Sequence, residues 1–343
     1  MKKLQNTLYV TNPEGYLSLD GENVLVCSGE DVLGRVPLHN LEDIVSFGFR
    51  GASPALMGAC AEKGIGLAFC TPRGRFLARV CGGNNGNVLL RREQYRIADD
   101  DRRSCAIARN MIFGKLTNSA AVIQRTLRDH RPRVTDCGLE AGVSSIRGLQ
   151  HQVLEQTELE ALRGLEGVGA AAYFGVFDHL LLSRKEEFFF HGRNRRPPLD
   201  RVNAMLSFAY SLLTHDCASG LESVGLDSYV GFLHRDRPGR ESLALDLMEE
   251  LRPCMADRFV LTLVNNRVVK PDDFQTQDSG AVLLTEEGRK KFLKAWQERK
   301  RDTLTHPYLN EKMSWGMIPY VQALLLARQL RGDLDAYPPF LWK

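Results

Sequence analysis

The sequence predicts an α+β protein in which a small β-rich N-terminal domain, residues 1–90, is followed by a larger all-helical C-terminal domain, residues 91–343. Up to about residue 90, β-branched and aromatic residues come in short runs separated by turn residues, the spacing of strands. From about residue 92 apolar residues recur at helical spacing over longer windows. A chain of 343 residues also holds ample material for two hydrophobic cores.

Leu8-Tyr-Val-Thr, Tyr16-Leu-Ser-Leu, Val24-Leu-Val-Cys, Gly34-Arg-Val-Pro, Ile44-Val-Ser-Phe-Gly and Gly66-Leu-Ala-Phe-Cys read as strands, and Arg75-Phe-Leu-Ala-Arg-Val as one more. Asp20-Gly21 between two of them is a hairpin signal. Residues 53–63 read as a helix with Ser53 as N-cap and Pro54 at the first position. Gly82-Gly-Asn-Asn-Gly86 reads as a turn and lacks the lysine of a nucleotide-binding loop.

In the second half, residues 91–114 and 119–129 read as helices, and residues 131–142 as a break around Pro132 and Gly138. Residues 148–188 read as one or two long helices, interrupted by the glycines around Glu166. Glu187-Phe-Phe-Phe-His191 is expected to fill a core in preference to stacking on bases. Asp200 caps a helix over residues 200–214, on which Val202, Leu206, Ala209 and Leu213 recur at helical spacing. Asn203 and Tyr210 on that helix fit capping and core roles as well as support of DNA or metal. After Pro253 come another helix and a short Val268-Val-Lys segment. Thr285-Glu-Glu-Gly288 opens the next helix, and residues 318–332 form the last. The apolar Tyr337-Pro-Pro-Phe-Leu-Trp tail is expected to dock on a partner or on its own domain.

Composition sets limits on function. The formal net charge of +3 is mildly basic, so any contact with a polyanion must rest on local patches. Candidates are Arg91–Arg92, Arg102–Arg103 and the runs at 125–133, 193–196 and 235–240, while residues 289–301 read as an ordinary exposed helix. The eight cysteines are scattered with no Cys-x-x-Cys pair, which argues against a zinc knuckle or an iron–sulfur cluster. Lys2–Lys3 lead straight into a strand-like alternation, and no apolar run is long enough to span a bilayer. A cytoplasmic location is expected.

One constellation carries chemistry. His234 ends an apolar stretch and feeds a short basic loop, and that loop feeds a helix carrying Asp246 and Glu249. Residues three apart share a helix face, so both acids can point into the space beside the histidine. An imidazole with carboxylates is the ligand set of a catalytic Mg²⁺ or Mn²⁺ site and not of a structural zinc site. Arg235, Arg237, Arg240 and Arg252 crowd the segment and suggest a polyanionic substrate, nucleic acid first. On the helical wheel Leu243, Ala244, Leu247, Met248 and Leu251 form the apolar arc, Asp246 and Glu250 lie opposite, and Glu249 sits at the edge. Glu166 is a further acid, in a stretch where Gly164, Gly167, Gly169 and Ala170 to Ala172 are expected to let backbones approach closely. Exposure or an ion pair with Arg163 would explain Glu166 equally well.

Four segments taken together resemble a known family. They are Leu165-Glu-Gly-Val-Gly-Ala-Ala-Ala-Tyr-Phe174, the stretch from Arg193 to Leu213, Gly225-Leu-Asp-Ser-Tyr-Val-Gly-Phe-Leu-His234, and Ser242-Leu-Ala-Leu-Asp-Leu-Met-Glu-Glu-Leu-Arg-Pro253. In this order and spacing they closely resemble the CRISPR-associated adaptation integrase family. Leu8-Tyr-Val-Thr11, the stretch from Tyr16 to Asn23, and the closing Tyr337-Pro-Pro-Phe340 resemble its subtype I-C branch.

The resemblance implies a metal-dependent DNA endonuclease that integrates foreign DNA fragments (spacers) into a CRISPR array by 3′-hydroxyl attack on repeat phosphodiesters. It implies Glu166, His234 and Glu249 as catalytic metal ligands for Mg²⁺ or Mn²⁺, with Asp246 supporting the site or binding metal directly. Arg193, Arg195, Arg196, Arg235, Arg237, Arg240 and Arg252 are the candidate DNA contacts. It further implies a homodimer through the β-rich domain, a small Cas two dimer as partner, and in subtype I-C a Cas four nuclease. The chain departs from some members in carrying glutamate in place of aspartate at Glu249, and Ala209 where many carry glycine. A metal-dependent repair nuclease acting on branched DNA would share every ligand. A non-catalytic DNA-binding scaffold, in which the acids merely satisfy arginines, is the further alternative.

Overall fold

The structure, a computed structural model, describes residues 7–72, 76–80, 88–134 and 138–342. The expected turn at 82–86 lies outside the described residues, as do Lys2, Lys3, Arg75, Cys81 and Cys137. The first part of the chain holds β1 (Thr7–Val10), β2 (Tyr16–Asp20), β3 (Asn23–Ser28), β4 (Asp31–Pro37), β5 (Asp43–Phe47), α1 (Pro54–Lys63), β6 (Gly66–Cys70) and β7 (Phe76–Val80). It makes two sheets. β2, β3 and β4 are antiparallel neighbours, and Gly21 at φ 57° turns the chain between β2 and β3, as the Asp20-Gly21 signal predicts. β1, β5 and β6 run parallel and β7 closes that sheet antiparallel. Ser53 caps α1 by accepting from the Leu56 N–H, with Pro54 at its first turn.

β5 is buried along its whole length, as expected of a strand covered on both faces. Ile44 faces a small core with Leu17, Val24, Leu38, Leu56 and Leu67. Val45 and Phe47 face the other way, into the core of the helical part. Phe47 meets Phe208 at 6.1 Å between ring centres, and Phe208 meets Phe292 at 5.1 Å.

The rest of the chain holds α2 (Val88–Ala98), α3 (Asp101–His130), α4 (Leu139–Glu155), α5 (Leu159–Gly175), α6 (Arg201–Ser223), α7 (Ser242–Leu251), α8 (Arg258–Asn265), β8 (Phe274–Thr276), β9 (Val282–Leu284), α9 (Glu286–Arg301), β10 (Thr303–Thr305), β11 (Lys312–Ser314) and α10 (Ile318–Leu330). The expectation of an all-helical C-terminal part is therefore corrected: β8 pairs with β9 and β10 with β11 in two hairpins. Their three-residue strands are too short for an alternation to register in the sequence.

Helix boundaries also differ from the sequence reading. The expected helices at 91–114 and 119–129 are divided instead at Asp99–Asp100, where the Asp100 carboxylate caps α3 at the Arg102 and Arg103 N–H groups. α3 runs unbroken through Lys115, Thr117 and Asn118 because these polar residues find partners inside the protein. α4 begins at Leu139, earlier than expected, and the glycines around Glu166 lie within α5 rather than interrupting it. Asp200 and Thr285 cap α6 and α9 as predicted, and α6 continues beyond residue 214 to Ser223. α9 is more than an exposed helix, since Phe292, Leu293 and Trp296 are buried. The tail docks on its own chain, with Tyr337 and Phe340 buried.

Charged groups line the seam between the sheet and the helices. Lys300 of α9 pairs with Asp216 of α6 at 2.8 Å, both buried. His215 lies beside them with neither ring nitrogen hydrogen-bonded, its Nε2 3.9 Å from Asp43 Oδ1. Burial first, then the Arg79 and Lys300 charges, push the imidazole down to about 3 against the pull of Asp216.

This generates a pH prediction. Below the ordinary imidazole value of 6.5 the unfolded chain takes up a proton that native His215 refuses. Stability must fall as pH drops, by about 1.4 kcal/mol per pH unit until the native value is approached. Urea unfolding at pH 7 and pH 5 should show the wild type losing ~2 kcal/mol more than His215→Leu. Equal losses would remove His215 from the account.

Candidate metal centre

α7 is buried at every residue except Leu245, which is half-buried, and yet it carries three carboxylates. The wheel places Asp246 and Glu250 on a polar face, but there is no solvent face. Burying a carboxylate without partners is expensive, so each must be satisfied from another element. The three acids divide the task.

Asp246 holds the histidine loop. Its Oδ2 accepts the Phe232 and Leu233 N–H groups at 2.6 and 2.9 Å, and its Oδ1 accepts the His234 N–H at 2.9 Å. The His234 Nδ1 lies 2.6 Å from the same Oδ1. Nδ1–H donates to the carboxylate, which leaves the lone pair on Nε2 and points it away from Asp246. Gly231 makes the close approach possible: a Cβ there would stand 2.7 Å from Asp246 Oδ2 and 2.9 Å from Ser242 Cβ. Upstream, the Gln94 amide of α2 grips the Asp227 and Val230 carbonyls at 2.7 and 2.8 Å.

Glu250, one turn further along, anchors the tail. It accepts from the Tyr337 hydroxyl at 2.5 Å, the Gln322 amide at 2.8 Å and the Phe340 N–H at 3.1 Å. Burial outweighs these bonds and pushes its carboxyl up to about 7.

Glu249 faces the space beside His234, with its Oε1 3.9 Å from His234 Nε2. Glu166 comes in from α5. A Cβ at Gly169 would come within 2.3 Å of Leu116 Cδ2, so this glycine sets how closely α5 approaches α3. Gly164 and Gly167 face open space and do not serve the close packing expected of them. Arg163 does not pair with Glu166. It pairs with Glu160, and its Nε donates to the Leu233 carbonyl at 2.8 Å, tying α5 to the histidine loop.

Between the two glutamates lies a residue the sequence reading missed. Lys115 of α3 pairs with Glu166 Oε1, and its Nζ is 2.7 Å from Glu249 Oε2. Its side chain is 8% exposed. A signal was available, since Lys115 interrupts the apolar face formed by Ala108, Met111, Ile112 and Val122. Burial pushes the Glu249 carboxyl up, but the Arg252 and Lys115 charges outweigh it and hold the group well below the carboxylate range. Burial likewise opposes the Lys115 charge, and Glu249 and Glu166 reverse this and raise it.

The candidate DNA-contacting arginines separate into two groups. Arg252 is taken up inside, with Nη1 3.1 Å from Glu249 Oε1 and its guanidinium 4.9 Å over the Tyr210 ring. Arg193 covers the same ring at 5.2 Å and donates to Asn203 and Ser207. The Tyr210 hydroxyl donates to buried Asp257 at 2.6 Å. Pro253 cannot continue an α-helix, and the chain passes it in a π-helical turn, Arg252–Asp257, that leads straight into α8. Arg235 pairs with Glu160. Arg195, Arg196 and Arg237 are exposed and Arg240 half-buried, with no carboxylate paired to any of them among the described residues. Burial, and then Arg237, Arg195 and Arg196, push the Arg240 guanidinium down, which marks these groups as neighbours.

Among the described residues no group of three or more His, Cys, Asp or Glu side chains stands close enough to form a finished metal cluster. Glu166 and Glu249 nonetheless share one cation, the Lys115 ammonium, and Glu249 Oε1 lies 3.9 Å from His234 Nε2. Glu249 Oε2 is buried and in ion-pair range of Lys115, yet makes no well-directed hydrogen bond. Two carboxylates and an imidazole lone pair fit a divalent cation of the Mg²⁺ or Mn²⁺ type.

Residues 8–298 match the family described as CRISPR associated protein Cas1. The chain is 52% identical over 347 residues to a CRISPR-associated endonuclease Cas1 of Rhodospirillum rubrum, covering 100% of both chains. It is 46% identical over 343 residues to one of Chlorobaculum tepidum, again covering 100% of both. A Cas4 exonuclease/Cas1 endonuclease fusion of Geobacter sulfurreducens is 33% identical over 97% of this chain and 60% of its own. Among solved structures, a casposase bound to integration product aligns with TM-score 0.83 at 20% identity, over 99% of this chain and 95% of that one. A Cas6-RT-Cas1–Cas2 complex aligns with TM-score 0.82 at 22% identity, over 100% of this chain and 36% of that one. These likenesses are of fold.

The geometry makes Asp246 the anchor of the loop and not a free ligand. Asp246→Ala leaves two buried N–H groups and the half-buried His234 N–H without their acceptor, at about 1–3 kcal/mol for each buried group, so a loss of at least ~2 kcal/mol is expected in urea unfolding. His234→Ala should lose far less. Equal losses in the two variants would contradict the anchoring role.

Proposed function

The chain belongs to the family of CRISPR-associated protein Cas1, and we propose that it is a divalent-metal-dependent DNA integrase and endonuclease. In this reading it joins the 3′-hydroxyl ends of short duplex fragments to repeat phosphodiesters of a CRISPR array. The observation that carries the reading is the run of partners from Glu166 of α5 through Lys115 to Glu249 of α7, with Glu249 Oε1 3.9 Å from Nε2 of His234 in the loop before α7.

These three side chains would hold Mg²⁺ or Mn²⁺. A bound cation would polarise the phosphodiester and stabilise the charge that develops on it. The protein's own residues do the positioning. Asp246 fixes the His234 tautomer with Nε2 free, and Arg252 orients Glu249 through Oε1. Arg195, Arg196, Arg237 and Arg240, with Arg235 beside them, offer the DNA backbone positive charges not already neutralised within the protein, Arg235 excepted. Arg193 and Arg252 act from inside, as supports of Tyr210 and Glu249.

The quaternary proposal is a homodimer through the β-rich part, with residues 1–90 as its domain. Its support in this chain is the exposed Val32 and Leu33 of β4. A small Cas2 partner is suggested by the solved complex that contains Cas1 and Cas2, and a Cas4 nuclease by the fused relative. Subtype I-C is carried by the sequence resemblance at the two ends of the chain. A cytoplasmic site is consistent with the free cysteines at 27, 60, 70, 105, 217 and 254. No helix among the described residues is long and apolar enough to cross a membrane.

Strand transfer of a short duplex into a repeat-bearing plasmid, with Mn²⁺ and the small partner present, tests the proposal. Glu166→Ala, His234→Ala and Glu249→Ala should each lose at least about 100-fold, or ~2.7 kcal/mol of barrier. Retained joining in all three would sink the reading. Cutting without joining, lost in the same variants, would transfer the site to a repair nuclease.

A further inference from the structure

The Lys115 ammonium stands between two of the three side chains proposed to hold a divalent cation. It projects from α3, surrounded on that helix by buried Met111, Ile112 and Leu116. An ammonium in such surroundings is held only if anions meet it. It meets one oxygen from each of the two acids proposed as ligands, Glu166 Oε1 and Glu249 Oε2. Arg252 holds the other oxygen of Glu249 at 3.1 Å, so Oε2 is the atom left to Lys115. Without a cation between them, Glu166 and Glu249 would present like charges to one another.

We propose that Lys115 is a built-in counter-ion: its ammonium closes the metal-free site, and a divalent ion enters by exchanging with it for Glu166 Oε1 and Glu249 Oε2. The inference rests on the metal reading of this site. The two cations need the same two oxygens, so they exclude one another there. The lysine-closed state keeps the acids satisfied and the fold intact without metal. It also weakens apparent metal affinity, because binding must draw on the minor, lysine-open state.

The test uses the full-length protein and Mn²⁺ alone. In the wild type, amine labelling by an N-hydroxysuccinimide ester, read by peptide mass spectrometry, should find Lys115 protected in chelator. Saturating Mn²⁺ should raise its labelling by about tenfold or more. In calorimetric titration, Lys115→Met and Lys115→Gln should bind Mn²⁺ at least about tenfold more tightly than the wild type, and Glu166→Gln more weakly. The labelling arm needs no variant and holds if both lysine variants fail to fold. Unchanged Lys115 labelling and unchanged affinity, with Mn²⁺ binding lost in Glu166→Gln, would overturn the exchange and leave the metal site standing. Absence of Mn²⁺ binding in the wild type and in both lysine variants would overturn both.

Discussion

A buried helix with three carboxylates is the constraint on which the arrangement depends. α7 lies within the core, so Asp246, Glu249 and Glu250 must each find donors or cations in other elements. They find them in three directions. Asp246 collects the backbone of the histidine loop, Glu250 collects the C-terminal tail, and Glu249 takes Lys115 and Arg252. Loop, tail and candidate site are thereby referenced to one rigid rod. A carboxylate with four N–H donors from one loop sets that loop's path far more tightly than a single hydrogen bond would.

The same economy of placement separates what supports the site from what faces outward. Tyr210 meets the guanidinium groups of both Arg193 and Arg252 with its ring and donates to Asp257, and Arg252 in turn holds the carboxylate of Glu249. Pro253 is part of the construction. It forces the backbone into a wider turn between α7 and α8, from which Arg252 reaches back to Glu249 and Asp257 meets Tyr210. Arginines adjacent in sequence thus differ in role: Arg193 is internal while Arg195 and Arg196 are exposed.

Much of this was legible beforehand because it depends on local chemistry. Ser53, Asp200 and Thr285 announce helix starts, since a short polar side chain satisfies the first N–H groups whatever the surroundings. The alternating runs before residue 80 announce strands for the same reason. His234, Asp246, Glu249 and Glu166 stand out as acids and an imidazole in apolar company; in the fold Glu166 and Glu249 share Lys115, and Asp246 holds the His234 loop. The β8–β9 and β10–β11 hairpins were not legible, because strands of three residues carry too little pattern. The continuity of α3 was missed because Lys115 and Asn118 look like solvent-facing residues until their partners are known.

The sequence by itself determined where the capped helices α1, α6 and α9 start, which residue types suit a divalent cation, and which family the four motifs belong to. Tertiary structure decided the direction of each buried charge. Asp246 and Glu250 occupy similar positions on a helical wheel, yet one grips the histidine loop and the other the tail. Lys115, 51 residues from Glu166 in the chain, becomes its counter-ion only when Gly169 lets α5 settle against α3. Spacing along a chain specifies which face of an element a residue shares. The partner it meets there depends on how elements distant in sequence pack, because a buried charge is stabilised by whatever opposite charge the packing brings within a few ångströms.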